Sequence, residues 1–561
     1  MKFSLRAHWL PGIALLILWL AIGMLAFLSL RQNQGHLVYA LDDPYIHMAM
    51  AKNFARYGTW GITRYGFTSS SSSLFWTLIL SFLYLIAGVN EAIPFILNIL
   101  SATVLVLAVY GLTRARRPSP HPAYTLMVLI AIIFLTPLPP LVFSGQEHVL
   151  HILVTIIFVF IAAQVLSSDH ARCSPSVFYL ILSAAFLPLI RYEGLFLVLV
   201  VCILFILRRR YLLALAMGVA ALVPVTIYGI ISINHGWFFL PNSALIKGKS
   251  PHLASARGVI NFLGYSAAMQ FIQAPHMLIL TATALAVYLI RTHKGIWERS
   301  QIMLLIFIGT TLLHMQFART GWFYRYEAYL VALGTCAITW ALSEYFPRRI
   351  PVAPELSTPA RTALSILILL SALSLGTRGA QAVKKIPRAT TNIYEQQYQM
   401  GLFLQRFYQG ATVAANDVGA INYLADIRCI DMAGLGNMTV AREMRGGSYT
   451  SARVRDLARS EGVMIAALYD LRAAQRGNSL IPPEWMEVGQ WKIAHNVVCG
   501  NDAVSFYAVQ PSAEGPLREN LKSFSSLLPA DVAQRGSYLR REECPTADHR
   551  FDSPAGMPST R

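Results

Sequence analysis

The most informative segment of the chain is Ala40-Leu41-Asp42-Asp43-Pro44-Tyr45-Ile46-His47. It follows an apolar run, residues 9–30, that is long enough to cross a bilayer at about 1.5 Å per residue against roughly 30 Å of hydrocarbon. Asp43 as N-cap, Pro44 in the first turn and Gly58 as a stop predict a short helix lying along the membrane surface. Asp42 and Asp43 either serve as solvated caps or carry a function, for which ionisable residues at membrane boundaries are enriched.

The composition is that of a polytopic membrane protein. Of 561 residues, 55% are hydrophobic and only 13% are charged, which is about half the charged fraction of a soluble globular protein. The net charge is +18, but the basic residues cluster in short loops between apolar runs, which is the positive-inside pattern. The charge therefore indicates topology and contact with phospholipids, and no nucleic-acid partner is expected.

The apolar runs and the loop charges together predict the topology. Eleven further runs follow the first, at 74–88, 92–112, 124–140, 148–166, 177–190, 194–207, 211–233, 275–291, 301–317, 327–346 and 363–377. The basic N-terminus is expected in the cytoplasm, and the later basic loops share that side only if 74–88 is a re-entrant or interfacial segment. The sequence thus predicts about 11 crossings of the inner (plasma) membrane and an extracytoplasmic C-terminus.

Residues 1–380 are predicted to form the transmembrane domain with interfacial helices in its outer loops, and the composition changes to that of a soluble domain from about residue 388. Beyond it, strands at 411–415, 428–431, 463–468 and 504–510 alternate with helices at 418–424 and 450–460, and predict a small extracytoplasmic α/β domain over 388–515. The tail 516–561 is rich in polar residues and proline and is expected to be loosely ordered. Two of three cysteines in this part of the chain, Cys429, Cys499 and Cys544, can pair in an oxidising compartment.

Four short segments place ionisable or amide side chains on the predicted outer face. They carry Glu147 and His148, Arg191 and Glu193, Asn242 and Lys247, and Arg325 and Glu327. Each has a structural alternative, such as an internal ion pair, a helix-dipole partner, a snorkelling lysine or an aromatic belt. Together, outward carboxylates, cations and apolar surface are what chemistry on a lipid-linked anionic donor requires. Asp42, Asp43 and Glu147 can also gather a divalent ion, although no ligand spacing demands one.

The ordered set of motifs resembles the integral-membrane GT-C glycosyltransferases, which use polyprenyl-phosphate sugars, and among them the mycobacterial terminal arabinofuranosyltransferases and their relatives. The resemblance is carried by Asp42-Asp43, Gly58, Thr68–Ser73, Trp76-Thr77, Ser144–Glu147, Arg191-Tyr192-Glu193, Leu240–Lys247, Arg325 and Asp426–Leu435. It implies a mainly α GT-C fold, an outward-facing active site and inverting transfer with an acidic residue of the first outer loop as the base. Tyr192 and His148 depart from the pattern of these relatives and leave the donor sugar open.

The predicted site therefore has Asp43, or its neighbour Asp42, as the general base. Lys247, Arg325 and Arg191 are predicted to hold the donor phosphate. The predicted substrate-binding residues are Glu147, His148, Glu193, Asn242 and Glu327. The expected partners are a polyprenyl-phosphate sugar donor, a glycan or glycolipid acceptor of the cell envelope, and membrane lipids. The alternative is a transporter or flippase of a lipid-linked saccharide, against which the chain shows no paired halves and gathers its charges on one face.

Overall fold

The structure is a computed structural model that describes residues 9–116, 119–168, 175–247, 265–345, 358–469 and 479–539, with Ile246 and Lys247 described by their backbone alone. The helices of the predicted transmembrane part are α1 (Trp9–Gln32), α2 (Asp43–Tyr57), α3 (Leu74–Ala87), α4 (Ala92–Ala115), α5 (Pro122–Leu135), α6 (Leu138–Val142), α7 (His148–Ser167), α8 (Pro175–Ile190), α9 (Gly194–Leu207), α10 (Tyr211–Asn234), α11 (Asn242–Lys247), α12 (Ser266–Gln273), α13 (Pro275–Ile290), α14 (Arg299–Phe317), α15 (Ala328–Leu342) and α16 (Thr358–Ile393).

Each apolar run predicted from the sequence is helical, and the protein is a multi-pass membrane protein. Within the described residues, six helices are long and apolar enough to cross a membrane, and α12 and α13, which are bent by 104° at their break, make a seventh if they count as one span. Large apolar side chains such as Leu20 and Phe27 are more than 60% exposed, as expected where a helix faces lipid. The predicted number of crossings stays a prediction.

Helix α2 is present as predicted, and it is largely buried within the protein; its position along the membrane surface stays a prediction. It ends at Gly58, whose left-handed φ of 68° terminates the helix. The N-cap position is occupied by Asp42, not by Asp43 as predicted, and the Asp42 side chain does not cap the helix. The residues from Pro44 to Asn53 are all buried, because α3 and the C-terminal domain pack against α2.

Helix α3 corresponds to the run 74–88, whose crossing was in question. Its 14 residues span about 21 Å, which is shorter than the roughly 30 Å of a bilayer core. The Ser73 hydroxyl caps it by accepting the Trp76 N–H at 3.3 Å. The helix packs against α2 and α8. Whether it crosses the membrane stays a prediction.

The C-terminal domain is built on one mixed sheet. Its strands are β1 (Thr412–Ala415), β2 (Arg428–Asp431), β3 (Ile465–Leu468), β4 (Met486–Lys492), β5 (Ala503–Ala508) and β6 (Ala533–Gly536), and its helices are α17 (Gln399–Phe407), α18 (Ala420–Leu424), α19 (Met438–Gly446), α20 (Ser451–Ser460) and α21 (Glu514–Phe524). The strand order is β2-β1-β3-β5-β4-β6. Neighbours among β1, β2 and β3 are parallel, and the remaining pairs are antiparallel.

Helices and strands continue across both predicted boundaries of the C-terminal domain. At the start, α16 continues through a π-helical turn, Tyr394–Tyr398, into α17, so an unbroken helix crosses the predicted boundary. At the end, α21 and β6 lie in the tail that was predicted to be loosely ordered. They are ordered because side chains such as Phe524 pack into the sheet core, where its ring stacks on Trp491 at 5.7 Å.

The described cysteines form no disulfide with one another. Cys429 and Cys499 are both free thiols, and burial raises the pKa of each thiol above its usual value. Cys544 lies outside the described residues. Of the pairings that the sequence leaves open, the one between Cys429 and Cys499 is therefore not formed.

Candidate active site

The predicted site residues meet on one face of the helix bundle, the face that the C-terminal sheet covers, which we call the domain face. Asp43 at the start of α2 contacts the Arg325 guanidinium, and Arg325 also contacts the Gln146 side-chain oxygen. The Arg325 side chain is 1% exposed and that of Asp43 is 16% exposed. Arg325 is thus held on two sides, while the Asp43 side chain is partly exposed.

A glycine turn presents the acidic and amide groups to the arginines. Gly145 has a left-handed φ of 63°, and a Cβ atom there would lie 2.5 Å from the Tyr39 ring. Only glycine therefore suits this position. The turn places Gln146 against Arg325 and Glu147 against Arg191 just before α7 begins.

Arg191 lies between α8 and α9, and two carboxylates neutralise its charge. It contacts Glu147 at 2.6 Å and Glu193 at 2.7 Å, and its guanidinium lies 3.4 Å from the His148 ring nitrogen Nε2. The Tyr326 ring lies beside both arginines, at 5.8 Å from Arg191 and 5.1 Å from Arg325. The structure thus brings four of the predicted site residues together in one ion-paired cluster: Arg191, Glu147, His148 and Glu193.

A cavity of about 270 Å³ opens beside these two clusters. Its lining residues combine charge with apolar surface, and they are Ser72, Gln146, Arg191, Tyr192, Glu193, Leu195, Phe196, Leu240, Ser243, Ala244, Phe317, Ala318, Arg319, Arg325 and Tyr326. Of the three arginines on its wall, Arg191 pairs with Glu147 and Glu193 and Arg325 pairs with Asp43, so the preference of the cavity for an anion comes from Arg319. Arg319 is exposed, and within the described ranges no carboxylate pairs with it, which leaves its charge available to a ligand.

Asp42 faces away from this cavity and ties the first loop to the C-terminal domain. Its two carboxylate oxygens accept the backbone N–H groups of Gly419 and Ala420, each at 2.8 Å. Burial and the nearby Asp417 raise the pKa of Asp42, whereas these two N–H donors lower it. The pair predicted from the sequence is thus divided, because Asp42 contacts the sheet domain and Asp43 contacts Arg325.

Glu327 was predicted to bind substrate, but the structure places it behind the cavity. Its fully buried carboxylate contacts Arg378, accepts the Gly321 N–H at 2.7 Å and lies 3.3 Å from His276. Burial raises the pKa of Glu327, but Arg378, His276 and the Gly321 N–H together outweigh burial, and the pKa lies below its usual value. The geometry is that of an internal ion pair.

Asn242 and Lys247 lie on α11, at the border between the cavity and the sheet domain. The buried Asn242 amide donates to the Gly434 carbonyl at 2.8 Å, so it fastens the loop to the C-terminal domain, while its neighbour Ser243 lines the cavity. Lys247 is the last residue of α11, and its side chain lies outside the described part of the chain. Its predicted contact with phosphate stays a prediction.

The serine-rich segment after α2 is ordered, as a rim and not as a linker. Ser71 and Thr77 both lie within hydrogen-bonding distance of the His47 ring, at 3.2 and 3.0 Å. On its other side, the His47 ring is 3.8 Å from Glu147. Ser72 faces the cavity directly. The segment therefore packs against the first turns of α2 and holds the His47 ring.

Sequence reasoning missed Arg319 and Tyr326 as members of the site. Both lie in the loop of residues 318–327 that was assigned to the outer face, where only Arg325 and Glu327 were singled out. The run of basic and aromatic residues around Arg325 was the available signal. For Arg319 the signal was its charge beside the apolar end of α14.

The candidate metal ligands are not gathered around one point. Among the residues described, no group of three or more His, Cys, Asp or Glu side chains is arranged to hold a metal ion. The proposed ligands instead have separate partners: Asp42 contacts backbone amides, Asp43 contacts Arg325 and Glu147 contacts Arg191.

The fold of the chain is the GT-C fold. It is similar to the crystal structure of ArnT from Cupriavidus metallidurans bound to undecaprenyl phosphate, with a TM-score of 0.51 over 89% of this chain and 99% of that chain, at 12% sequence identity. ArnT has a GT-C fold, so the predicted GT-C fold is confirmed. An oligosaccharyltransferase from Archaeoglobus fulgidus is similar over 91% of this chain and 75% of that chain (TM-score 0.49, 12% identity). The arabinofuranosyltransferase AftD from Mycobacteria is similar over 88% of this chain and 41% of that chain (TM-score 0.40, 13% identity).

The sequence comparisons concern a smaller part of the chain. Residues 391–507 match a family model described as a domain of unknown function, DUF8728. The match begins at the end of α16 and continues through β5. None of the curated proteins matches the sequence.

Proposed function

We propose that the protein is an inverting glycosyltransferase that moves a sugar from a polyprenyl-phosphate donor to a glycan or lipid acceptor. The observation that carries the proposal is the Asp43–Arg325 pair beside a cationic cavity with apolar walls, in a GT-C fold. ArnT, which has this fold, was crystallised with undecaprenyl phosphate, a lipid of the class proposed here. An arginine-lined, partly apolar cavity suits the phosphate and the first isoprene units of such a lipid.

Asp43 is the proposed general base. Its carboxylate contacts Arg325, a residue of the cavity wall, and its side chain is 16% exposed. Asp42 is unsuited to the role because both of its oxygens already accept backbone N–H groups. Arg325 and the Gln146 turn hold Asp43 in one orientation, and such preorganisation favours proton transfer from a bound hydroxyl.

Arg319 and Arg325 are the proposed partners of the donor phosphate. Arg191, ranked with them from the sequence, has its charge offset by Glu147 and Glu193, so its proposed role is to position the cavity wall. Arginine donates two parallel hydrogen bonds to a phosphate. Lys247, at the end of α11, remains a further proposed contact.

In the proposed reaction, Asp43 accepts the proton of the acceptor hydroxyl while the hydroxyl oxygen bonds to the anomeric carbon of the donor sugar. The bond between this carbon and the phosphate oxygen breaks, and its electron pair stays on the polyprenyl phosphate. The leaving phosphate gains one negative charge, which Arg319 and Arg325 stabilise. A single displacement inverts the configuration of the anomeric carbon.

The domain face is proposed to be the extracytoplasmic face of the inner (plasma) membrane. The basic loops at 114–116, 208–210 and 291–299 lie at the other ends of the helices that lead to the site, and the positive-inside rule places such loops in the cytoplasm. The acceptor is then a glycan or glycolipid of the cell envelope.

The test is transfer by the purified protein in lipid nanodiscs. Undecaprenyl-phosphate and decaprenyl-phosphate sugars, arabinofuranose among them, are supplied with envelope membranes from a deletion strain as acceptor. We expect one donor to lose its sugar to the acceptor with equimolar release of polyprenyl phosphate, and mass spectrometry of the deletion strain's envelope glycans to show the same sugar missing. Movement of an intact lipid-linked saccharide across the bilayer without release of polyprenyl phosphate would instead establish a transporter.

A further inference from the structure

The loop between α14 and α15 contains a strained segment, residues 321–324, which we call the left-handed turn. The φ angles of Gly321, Trp322, Phe323 and Tyr324 are 82°, 36°, 57° and 66°. Glycine adopts such angles freely, but the Cβ atom of any other residue crowds the backbone there, and here three such residues follow one another. A conformation of this kind persists only where the surrounding structure enforces it.

The left-handed turn lies between two segments that line the cavity of the proposed active site. Ala318 and Arg319 line the cavity before the turn, and Arg325 and Tyr326 line it after the turn. The two arginines are six positions apart, which corresponds to roughly 20 Å in an extended chain. They reach one cavity because the turn brings the two segments together. The conformation of the turn therefore helps to determine where both proposed phosphate ligands lie.

A buried ion pair holds the first and the last residue of the left-handed turn. Arg378, on α16, donates to the Tyr324 carbonyl at 2.9 Å and contacts the Glu327 carboxylate. The Arg378 guanidinium also lies 5.1 Å from the centre of the Tyr324 ring. Glu327 in turn accepts the Gly321 N–H at 2.7 Å. The Arg378–Glu327 pair is thus the part of the surrounding structure that enforces the strained conformation.

The two arginines of the loop differ in what else holds their backbone. The Arg319 carbonyl lies 3.1 Å from the ring nitrogen Nε2 of His314, and the Thr320 hydroxyl donates to the Gln270 side chain at 2.7 Å. The segment before the turn is therefore anchored to α14 and α12. Arg325 has its contacts to the α2 start and the glycine turn at its guanidinium, while its backbone lies between the left-handed turn and the start of α15. The Arg378–Glu327 pair holds both of these.

We propose that Arg378 is a positioning residue of the donor-phosphate site. It keeps the turn in its left-handed form and so places Arg319 and Arg325 for the phosphate. Arg378 is not among the residues that line the cavity, so it acts through the turn. The proposal rests on the proposed function for the identity of the ligand, whereas the hold of Arg378 on the turn does not depend on it.

The experiment uses the strain of the left-handed turn. Trp322→Gly and Trp322→Ala both remove an indole ring that is 52% exposed, and the two variants differ by one Cβ atom. A Cβ atom disfavours a left-handed residue by a factor of about 5–30. With Arg378 present, the Trp322→Gly protein should therefore melt at a higher temperature than the Trp322→Ala protein. This order is the reverse of the one expected in a helix.

Arg378→Gln is then combined with each of these substitutions in the full chain in nanodiscs. Replacing Arg378 should accelerate hydrogen exchange at the amides of residues 321–325. It should also raise the dissociation constant for undecaprenyl phosphate at least about tenfold, because only molecules with a left-handed turn bind it well. In this background, Trp322→Gly should bind the lipid at least about fivefold more tightly than Trp322→Ala, and its exchange should be slower.

Two further variants complete the comparison. Arg378→Lys keeps a charge beside Glu327 but lacks the forked donors of arginine, so it should show the same effects in weaker form, and the test does not depend on the folding of Arg378→Gln. Arg388→Gln is the matched control, since it removes another arginine of α16, whose partner is Glu395 at 3.3 Å. In the Arg388→Gln protein, glycine and alanine at position 322 should give the same affinity for undecaprenyl phosphate.

The proposal is overturned if hydrogen exchange at residues 321–325 does not respond to the Arg378 variants. It is also overturned if glycine and alanine at position 322 give equal affinities in those variants, or if Arg388→Gln responds to glycine in the same way. The proposed function is judged separately, by sugar transfer in the wild-type protein. Exchange that responds to Arg378 in a protein without transfer would keep the hold on the turn and refute the enzyme. Transfer by a protein whose turn is indifferent to Arg378 would do the reverse.

Discussion

Gly419→Ala is predicted to damage both stability and activity by displacing the first outer loop. A Cβ atom on Gly419 would lie 2.2 Å from the Asp42 backbone oxygen and 2.6 Å from its carboxylate, against an ordinary contact of at least 3.4 Å. Asp42 or the sheet domain must therefore move by about 1 Å. Overpacking of this kind costs typically about 1–3 kcal/mol. Because Asp43 is the next residue, a 1 Å displacement of the base is expected to lower the transfer rate about 10²-fold.

Two measurements on the protein in nanodiscs check this prediction. The melting temperature should fall relative to wild type, and hydrogen exchange at the amides of Gly419 and Ala420 should accelerate as their bonds to Asp42 lengthen. Gly515→Ala is the control, since no atom lies within 4 Å of its Cβ position; it should keep full activity. A Gly419→Ala protein with wild-type exchange and wild-type turnover would refute the idea that Asp42 docks the domain.

Three further substitutions separate the proposed roles. Arg319→Ala should lower turnover by about 10²–10³-fold, as for loss of a preorganised donor to developing charge, at an unchanged melting temperature, whereas the exposed Arg459→Ala should change neither. Arg191→Gln should lower the melting temperature, because it leaves the buried Glu147 unpaired, at a cost of about 3–5 kcal/mol. Burial raises the pKa of Asp431 to about 6, against about 3.9 in an unfolded chain, so its contribution to stability is present below pH 4 and is lost as pH rises through 6. The melting temperature of Asp431→Asn, measured relative to that of wild type, should therefore rise between pH 4 and pH 7.

Each of these predictions has a contrary outcome. Full turnover in Arg319→Ala would show that the phosphate lies elsewhere. A stable but inactive Arg191→Gln protein would restore Arg191 to direct ligand contact. A difference in melting temperature between Asp431→Asn and wild type that stays constant with pH would mean that Asp431 does not titrate in this range.

The membrane helices and four of the six strands could be predicted because their signals are local. Hydrophobic runs and strand alternation are read within a few residues, and β1, β2, β3 and β5 lie where they were expected. Strand β6, Ala533–Gly536, carries three small or polar residues of its four beside one arginine, so no local pattern marks it. It forms because β4 offers it an open edge.

The pairing of charges within the site was not accessible from the sequence. Arg325 meets Asp43 across 282 positions and Arg191 meets Glu147 across 44, so only the folded chain determines which arginine is neutralised. The burial of α2 has the same origin, because the C-terminal domain that covers it begins some 350 residues later in the chain. The sequence could therefore group the charged residues on one face, but it could not assign Asp42 and Asp43 to different tasks.

The single-turnover rate of Asp43→Asn tests most directly whether Asp43 is the general base. Asparagine has nearly the same size as aspartate and retains one oxygen for Arg325, so the fold and the binding of polyprenyl phosphate should be preserved. A well-placed general base contributes typically about 10²–10⁴-fold to the rate. We predict that sugar transfer from the bound donor slows by this factor in a protein that still folds and still binds polyprenyl phosphate, with a lower melting temperature because the buried Arg325 loses its charged partner. Transfer at the wild-type rate in a folded Asp43→Asn protein would contradict it.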